Sequence, residues 1–139
     1  MSKKQIRDEV IDALDKTGKW GTTKTTPKVA ERAGYKCEYC DLDLLESVMH
    51  YWLIEVDHII PKSKFEGDPD RIDNLAFSCR TCNVNLKRAW DPRTVAGQNA
   101  SRCELIEAAR QHVADGKKRK QKELEDIHKI VGYPFDGYA

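Results

Sequence analysis

The chain has 139 residues, 40% hydrophobic and 34% charged, with 24 basic against 23 acidic side chains and a formal net charge of +1. That length fits one domain, or a small core with helical extensions, and no apolar run approaches the roughly 18 residues that a membrane span requires. The near-balanced charge describes a soluble globular protein and leaves nucleic-acid binding open, because a local basic patch is enough for it.

"MSKKQIRDEV" holds no hydrophobic signal region, so a cytoplasmic protein is expected. Its five cysteines should be reduced there, which favours a metal site over a disulfide framework. "KKQIRDEVIDALDKTG" places Ile6, Val10, Ile11 and Leu14 at helical spacing, with Gly18 as a stop. "GTTKTTPKVAERAG" predicts a second helix with Thr26 as N-cap, Pro27 at the first helical position and Gly34 as C-cap.

Downstream, "DLDLLESVMHYWLIEVDHII" turns β-branched and aromatic toward its end, and a strand from about Trp52 to Ile60 is expected, closed by Pro61. "KSKFEGDPDRIDN" is an irregular, turn-rich loop, "LAFS" a second short strand, and "CRTCNVNLKRAW" a helix starting near Cys82. After a break at "DPRT", "ASRCELIEAARQHVADG" and "QKELEDIHKIVG" read as two terminal helices separated by the basic run "KKRKQK". The expected organisation is a helical extension at 1–34, a central core at 35–92 and a second helical extension at 93–139, forming a single compact domain.

"CEYC" and "CRTC" carry the strongest chemistry. Cys37, Cys40, Cys79 and Cys82 form two CxxC knuckles, and four thiolates suit the tetrahedral preference of zinc. Such a site is coordinatively closed, so the metal is a structural staple in a chain too short to build a large core. Asn83 follows Cys82 directly, which places its amide oxygen on the first turn of the helix. Asp57 offers a second hard oxygen, and the pair suits Mg²⁺ or Mn²⁺. His58, with an ordinary pKa of about 6.5, is placed to take a proton from water near neutral pH. Neighbours in a regular strand point to opposite faces, so Asp57 and His58 share a site only where the strand ends or bulges.

The order Cys37-x-x-Cys40, "VDHIIPKS", "DNLAFSC" and "CRTCNVNLK" resembles the HNH endonucleases over about Gly34 to Trp90. The resemblance implies an α+β fold: a ββα-metal core with a structural four-cysteine zinc site, flanked by N- and C-terminal helices. It also implies that Asp57 and Asn83 hold one Mg²⁺ or Mn²⁺, that His58 is the general base, and that Asn74 holds the loop and orients the histidine. Asn83 stands where histidine is commoner in the family, and Asn85 is turned away from it by helix geometry. The implied activity is hydrolysis of DNA, leaving 5′-phosphate and 3′-hydroxyl ends. One such site cuts one strand, so a double-strand cut needs a homodimer or two encounters.

Lys62, Arg80, Lys87 and Arg88 are the candidate phosphate contacts; for Lys87 and Arg88 a solvated helix face is an equal alternative. The run Lys117–Lys122 divides the same way between an electrostatic foot and a charged helix surface. Cys103 reads as a semi-buried thiol, His50, His112 and His128 as packing or solvated residues, and Trp20, Trp52 and Trp90 as core. Two other functions stay open: an inactive zinc-stabilised nucleic-acid-binding module, and a nuclease that cuts RNA or works as a subunit of a defence complex.

Overall fold

A computed structural model describes residues 7–21 and 23–135. Helix α1 (Asp8–Lys16) starts on Asp8 and Glu9 and ends on Lys16, charges that suit the two ends of the helix dipole. Gly18, at φ 66°, ends it as expected, while Ile6 lies outside the described residues. Ile11 is buried where α1 packs on α2 (Thr25–Arg32).

Helix α2 begins earlier than the sequence suggested, after Lys24, and Thr26 is inside it and not its cap. Pro27 therefore sits in the first turn, where its missing N–H removes no helical bond. Gly34 follows the cap residue Ala33 at φ 64°.

The strand expected from Trp52 starts later. Ser47 accepts a hydrogen bond from the His50 amide and caps one helical turn, α3 (Val48–Tyr51), which ends at Trp52. Trp52 is 71% exposed and is not a core residue; the strand's burial begins only where its partner strand begins. Strand β1 (Ile54–His58) pairs antiparallel with β2 (Leu75–Cys79), in register from Ile54 opposite Cys79 to His58 opposite Leu75. Every residue of β2 is buried. The Ile59 amide reaches the Asn74 carbonyl at 2.8 Å before Pro61 interrupts further pairing.

Between the strands, the turn-rich loop contains two short 3₁₀ turns, Lys62–Lys64 and Ile72–Asn74. Beyond β2 the chain winds into a π-helix, Thr81–Lys87, in which the Arg88 amide bonds the Asn83 carbonyl at 2.9 Å. This wider turn was not legible as anything but an ordinary helix. A short helix α4 (Arg93–Ala96) follows Asp91 and Pro92.

The two predicted terminal helices are one, α5 (Arg102–Val131). Ser101 caps its start, its hydroxyl accepting from the Glu104 amide and donating to Glu104 Oε1, both at 3.2 Å. Gly116 does not break it. A Cβ there would lie 3.1 Å from Leu86 Cδ2, a tight contact that glycine avoids where α5 packs on the π-helix.

The core cluster draws on all three stretches of the chain: Val29 and Ala30 of α2, Leu75, Ala76 and Phe77 of β2, and Leu105, Ala109 and Val113 of α5. Trp20 packs half-buried near Tyr35 and Phe77, and Trp90 stacks on His112 with ring centroids 4.1 Å apart. Cys103 faces outward on α5 and is exposed, against the semi-buried expectation. Among the described residues no helix is long and apolar enough to cross a membrane.

Candidate active site

The two knuckles meet. The sulfurs of Cys37, Cys40, Cys79 and Cys82 all lie within 4.8 Å of one another, and Cys40 Sγ is 3.8 Å from Cys79 Sγ. That separation is far beyond a disulfide bond, and it matches the roughly 3.8 Å edge of a tetrahedron with 2.3 Å metal–sulfur bonds. Cys37, Cys79 and Cys82 are buried and Cys40 half-buried. The Cys82 amide points at Cys79 Sγ at 3.4 Å, a bond that favours a thiolate. Hydrogen bonds from Cys37 first, then Cys79 and Cys82, drive the Cys40 thiol below its usual range, while the same shared bonds, from Cys40 first, hold Cys37 above its own. Four such sulfurs suit zinc.

Each knuckle also carries residues that reach β1. Tyr39, between Cys37 and Cys40, donates its hydroxyl to Asp57 Oδ2 at 2.6 Å. Burial, then the Asp57 charge, pushes the Tyr39 phenol well above its ordinary pKa, so it remains a donor. Its neighbour Glu38 joins the sheet edge, accepting the Phe77 amide at 2.8 Å and an ion pair from Arg102 at 2.8 Å.

Glu55 and Asp57, two residues apart on β1, engage the π-helix. Glu55 accepts from the Asn83 side-chain amide at 3.0 Å and from Arg80 at 3.2 Å. Because the Asn83 nitrogen is committed to Glu55, its Oδ1 is left as the atom for a further partner. Asp57 is 6% exposed and pairs with the Lys87 ammonium at 2.9 Å. Among the described residues no hydrogen bond engages Asp57 Oδ1 or Asn83 Oδ1.

β1 is regular through His58, so the bulge that would turn Asp57 and His58 to one face is not there; the strand end is. His58 bonds another element. Its Nε2 lies 2.7 Å from Asp70 Oδ1, and that bond holds the Asp70 carboxyl below its usual pKa. Asn74 is buried and ties both ends of the loop: its Oδ1 accepts the Ile60 amide at 2.9 Å, and its Nδ2 donates to the Ile60 carbonyl at 3.1 Å and the Pro69 carbonyl at 3.0 Å. Pro69 precedes Asp70, so Asn74 fixes the backbone that presents Asp70 to His58.

Of the candidate phosphate contacts, Lys62 and Arg88 are exposed, and Arg80 is exposed but paired with Glu55. Lys87 is the departure. It is 1% exposed and lies neither on a solvated face nor within reach of an external phosphate. The run Lys117–Lys122 is exposed on α5.

Sequence reasoning missed Glu55, Tyr39 and Asp70. The first had a signal, since it stands two residues before Asp57 and shares its strand face. Tyr39 and Asp70 had none that distinguishes them from packing and turn residues.

While both Glu55 oxygens are engaged by Asn83 and Arg80, Asp57 on β1 and Asn83 on the π-helix carry hard oxygen donors of the kind a divalent ion takes. Lys87 contests that charge. Residues 37–88 match the family model of the HNH endonucleases. No curated protein and no solved structure matches the chain.

Proposed function

We propose, from a chain whose residues 37–88 match the HNH endonuclease family, that the protein is a metal-dependent endonuclease hydrolysing DNA phosphodiester bonds. The observation that carries the reading is His58: at the last position of β1, half-buried, with Nε2 on Asp70 and no hydrogen bond on Nδ1 among the described residues. With Asp70 accepting from Nε2–H, the lone pair of Nδ1 is free to take a proton from water. Asp70 orients the ring, and Asn74 orients Asp70.

Asp57 and Asn83 are the residues to hold Mg²⁺ or Mn²⁺, which when bound supplies positive charge to a phosphoryl oxygen and the leaving 3′ oxygen. Glu55 fixes the Asn83 amide so that its oxygen faces outward from that bond. Exposed Lys62 and Arg88 position the backbone, with Arg80 held in reserve by Glu55. Zinc in the four-cysteine site is a scaffold, with no open position for chemistry.

Supercoiled plasmid and single-stranded RNA, incubated with Mg²⁺ or Mn²⁺, test the reading. Wild type should nick DNA, and His58→Ala should lose at least about a hundredfold in rate with zinc retained. Linear product without a nicked intermediate indicates a homodimer or partnered assembly. RNA cleavage alone moves the substrate class; no cleavage of either by zinc-loaded wild type removes the enzyme reading.

The Lys87–Asp57 pair favours one other reading, a zinc-stabilised nucleic-acid-binding module that never takes up the second metal. It requires Mn²⁺ binding to be absent, which is measurable apart from cutting.

A further inference from the structure

Lys87 is enclosed as a bound cation is. Its ammonium lies 2.9 Å from Asp57 Oδ2, 3.1 Å from the His58 carbonyl and 5.9 Å from the centre of the Tyr39 ring, with no exposed side-chain surface. Two oxygens and an aromatic face satisfy a charge that would otherwise be expensive to bury. Asp57 is the carboxylate assigned above to the divalent ion, so one anion is offered to two cations. The geometry of the chain makes the contest local: Asn83 and Lys87 lie on the same π-helix, one facing Glu55 and the other Asp57.

We infer that Lys87 is the resident counter-ion of Asp57, and that a divalent metal enters only in competition with this ammonium, which sets a weak intrinsic metal affinity. The inference rests on Asp57 being the metal carboxylate. A +2 ion at Asp57 and an ammonium at 2.9 Å from the same group repel each other in a poorly solvated site, so binding requires Lys87 to share or leave it. A place for that movement is built in. Arg88, immediately after Lys87, is held at φ 56° and ψ −135°, a conformation that suits glycine and not arginine. The π-turn that ends there is a less regular helix than its neighbours. Displaced from Asp57, the ammonium becomes a free positive charge one turn from Asn83, where a phosphate group is expected.

Mn²⁺ titration followed by the electron paramagnetic resonance of free Mn²⁺ separates the possibilities, using zinc-loaded protein throughout. Lys87→Met should bind Mn²⁺ at least about tenfold more tightly than wild type, and Asp57→Asn should abolish the site. Lys87→Gln, which keeps a hydrogen-bonding head without charge, serves if the methionine variant does not fold. If Lys87→Met and Lys87→Gln bind Mn²⁺ no more tightly than wild type while Asp57→Asn loses it, the competition is refuted and the metal site stands. If Asp57→Asn binds as wild type does, both fall. Wild type alone gives a second readout: acetylation by an N-hydroxysuccinimide ester, mapped by mass spectrometry, should leave Lys87 unmodified without Mn²⁺ and modify it several-fold more with it. Equal protection in both conditions overturns the displacement.

Discussion

Replacing Cys37 by serine removes one of four sulfurs from the metal cluster while changing the side-chain volume little. Structural zinc in small domains supplies about 10–16 kcal/mol of apparent binding energy, or about 3–4 kcal/mol per thiolate if shared equally. Whole domains are stable by only about 5–15 kcal/mol. Cys37 is fully buried, and its knuckle holds Tyr39 against Asp57 and Glu38 against Phe77, so the loss is not absorbed at the surface. For a chain of this size each kcal/mol moves the melting midpoint by about 3–5 °C, which gives a fall of about 10–20 °C. Zinc released to a chelating dye and far-ultraviolet circular dichroism melts measure both halves of the expectation. Cys103→Ser, exposed on α5, should change the melt by no more than about 0.5 kcal/mol and is the matched control. A Cys37→Ser protein that keeps one zinc per chain and melts within about 3 °C of wild type would refute the cross-linking role.

Asn74→Ala leaves the Ile60 amide and two carbonyls without their partner, and should cost about 2–4 kcal/mol in denaturant melts and slow plasmid nicking at least tenfold as Asp70 slackens. Gly116→Leu drives a side chain into Leu86 and should destabilise by about 1–3 kcal/mol; an unchanged melt contradicts the close approach of α5 to the π-helix. His112 is stacked on Trp90, and burial, then Arg119 and Lys87, lowers its pKa below 6.5. The unfolded chain therefore binds that proton first, so its stabilising share is complete above about pH 6.5 and is lost as pH falls toward the folded-state pKa. Melts from pH 5 to 7.5 should show this slope in wild type, and His112→Phe should flatten it.

The metal cluster was legible because its chemistry constrains both residue type and spacing: two CxxC pairs state their geometry wherever they lie in the chain. Strand β2 could be read from its apolar run, whereas the role expected of Asn74 came from the family resemblance and not from its own surroundings. The misreadings share a different cause, since each concerns a residue whose role depends on what a distant segment brings to it. Gly116 and the basic run after it look like a helix break until Leu86 of the π-helix is seen packed against Gly116. Lys87 looks solvated on its own helix, and only the buried face of β1 shows that Asp57 receives it. Trp52 looks like core by composition, yet it precedes the paired part of the sheet and stays outside. Position along the chain carries no information about such partners.

The closeness of scaffold and candidate chemistry has a physical consequence. Tyr39 lies between Cys37 and Cys40, Arg80 follows Cys79, and Asn83 follows Cys82. Three of the groups that touch Glu55 or Asp57 are thus covalent neighbours of the cluster cysteines. A ligand sulfur is fixed to within a few tenths of an ångström by its metal bond, and the directly bonded neighbour inherits much of that restraint. With a metal bound, the cluster would therefore also restrain the carboxylates of β1 relative to the amide of Asn83. Metal-free protein, even where secondary structure survives, should lose that spacing before it loses its helices, because α2 keeps its own contacts with β2 and α5 with α4.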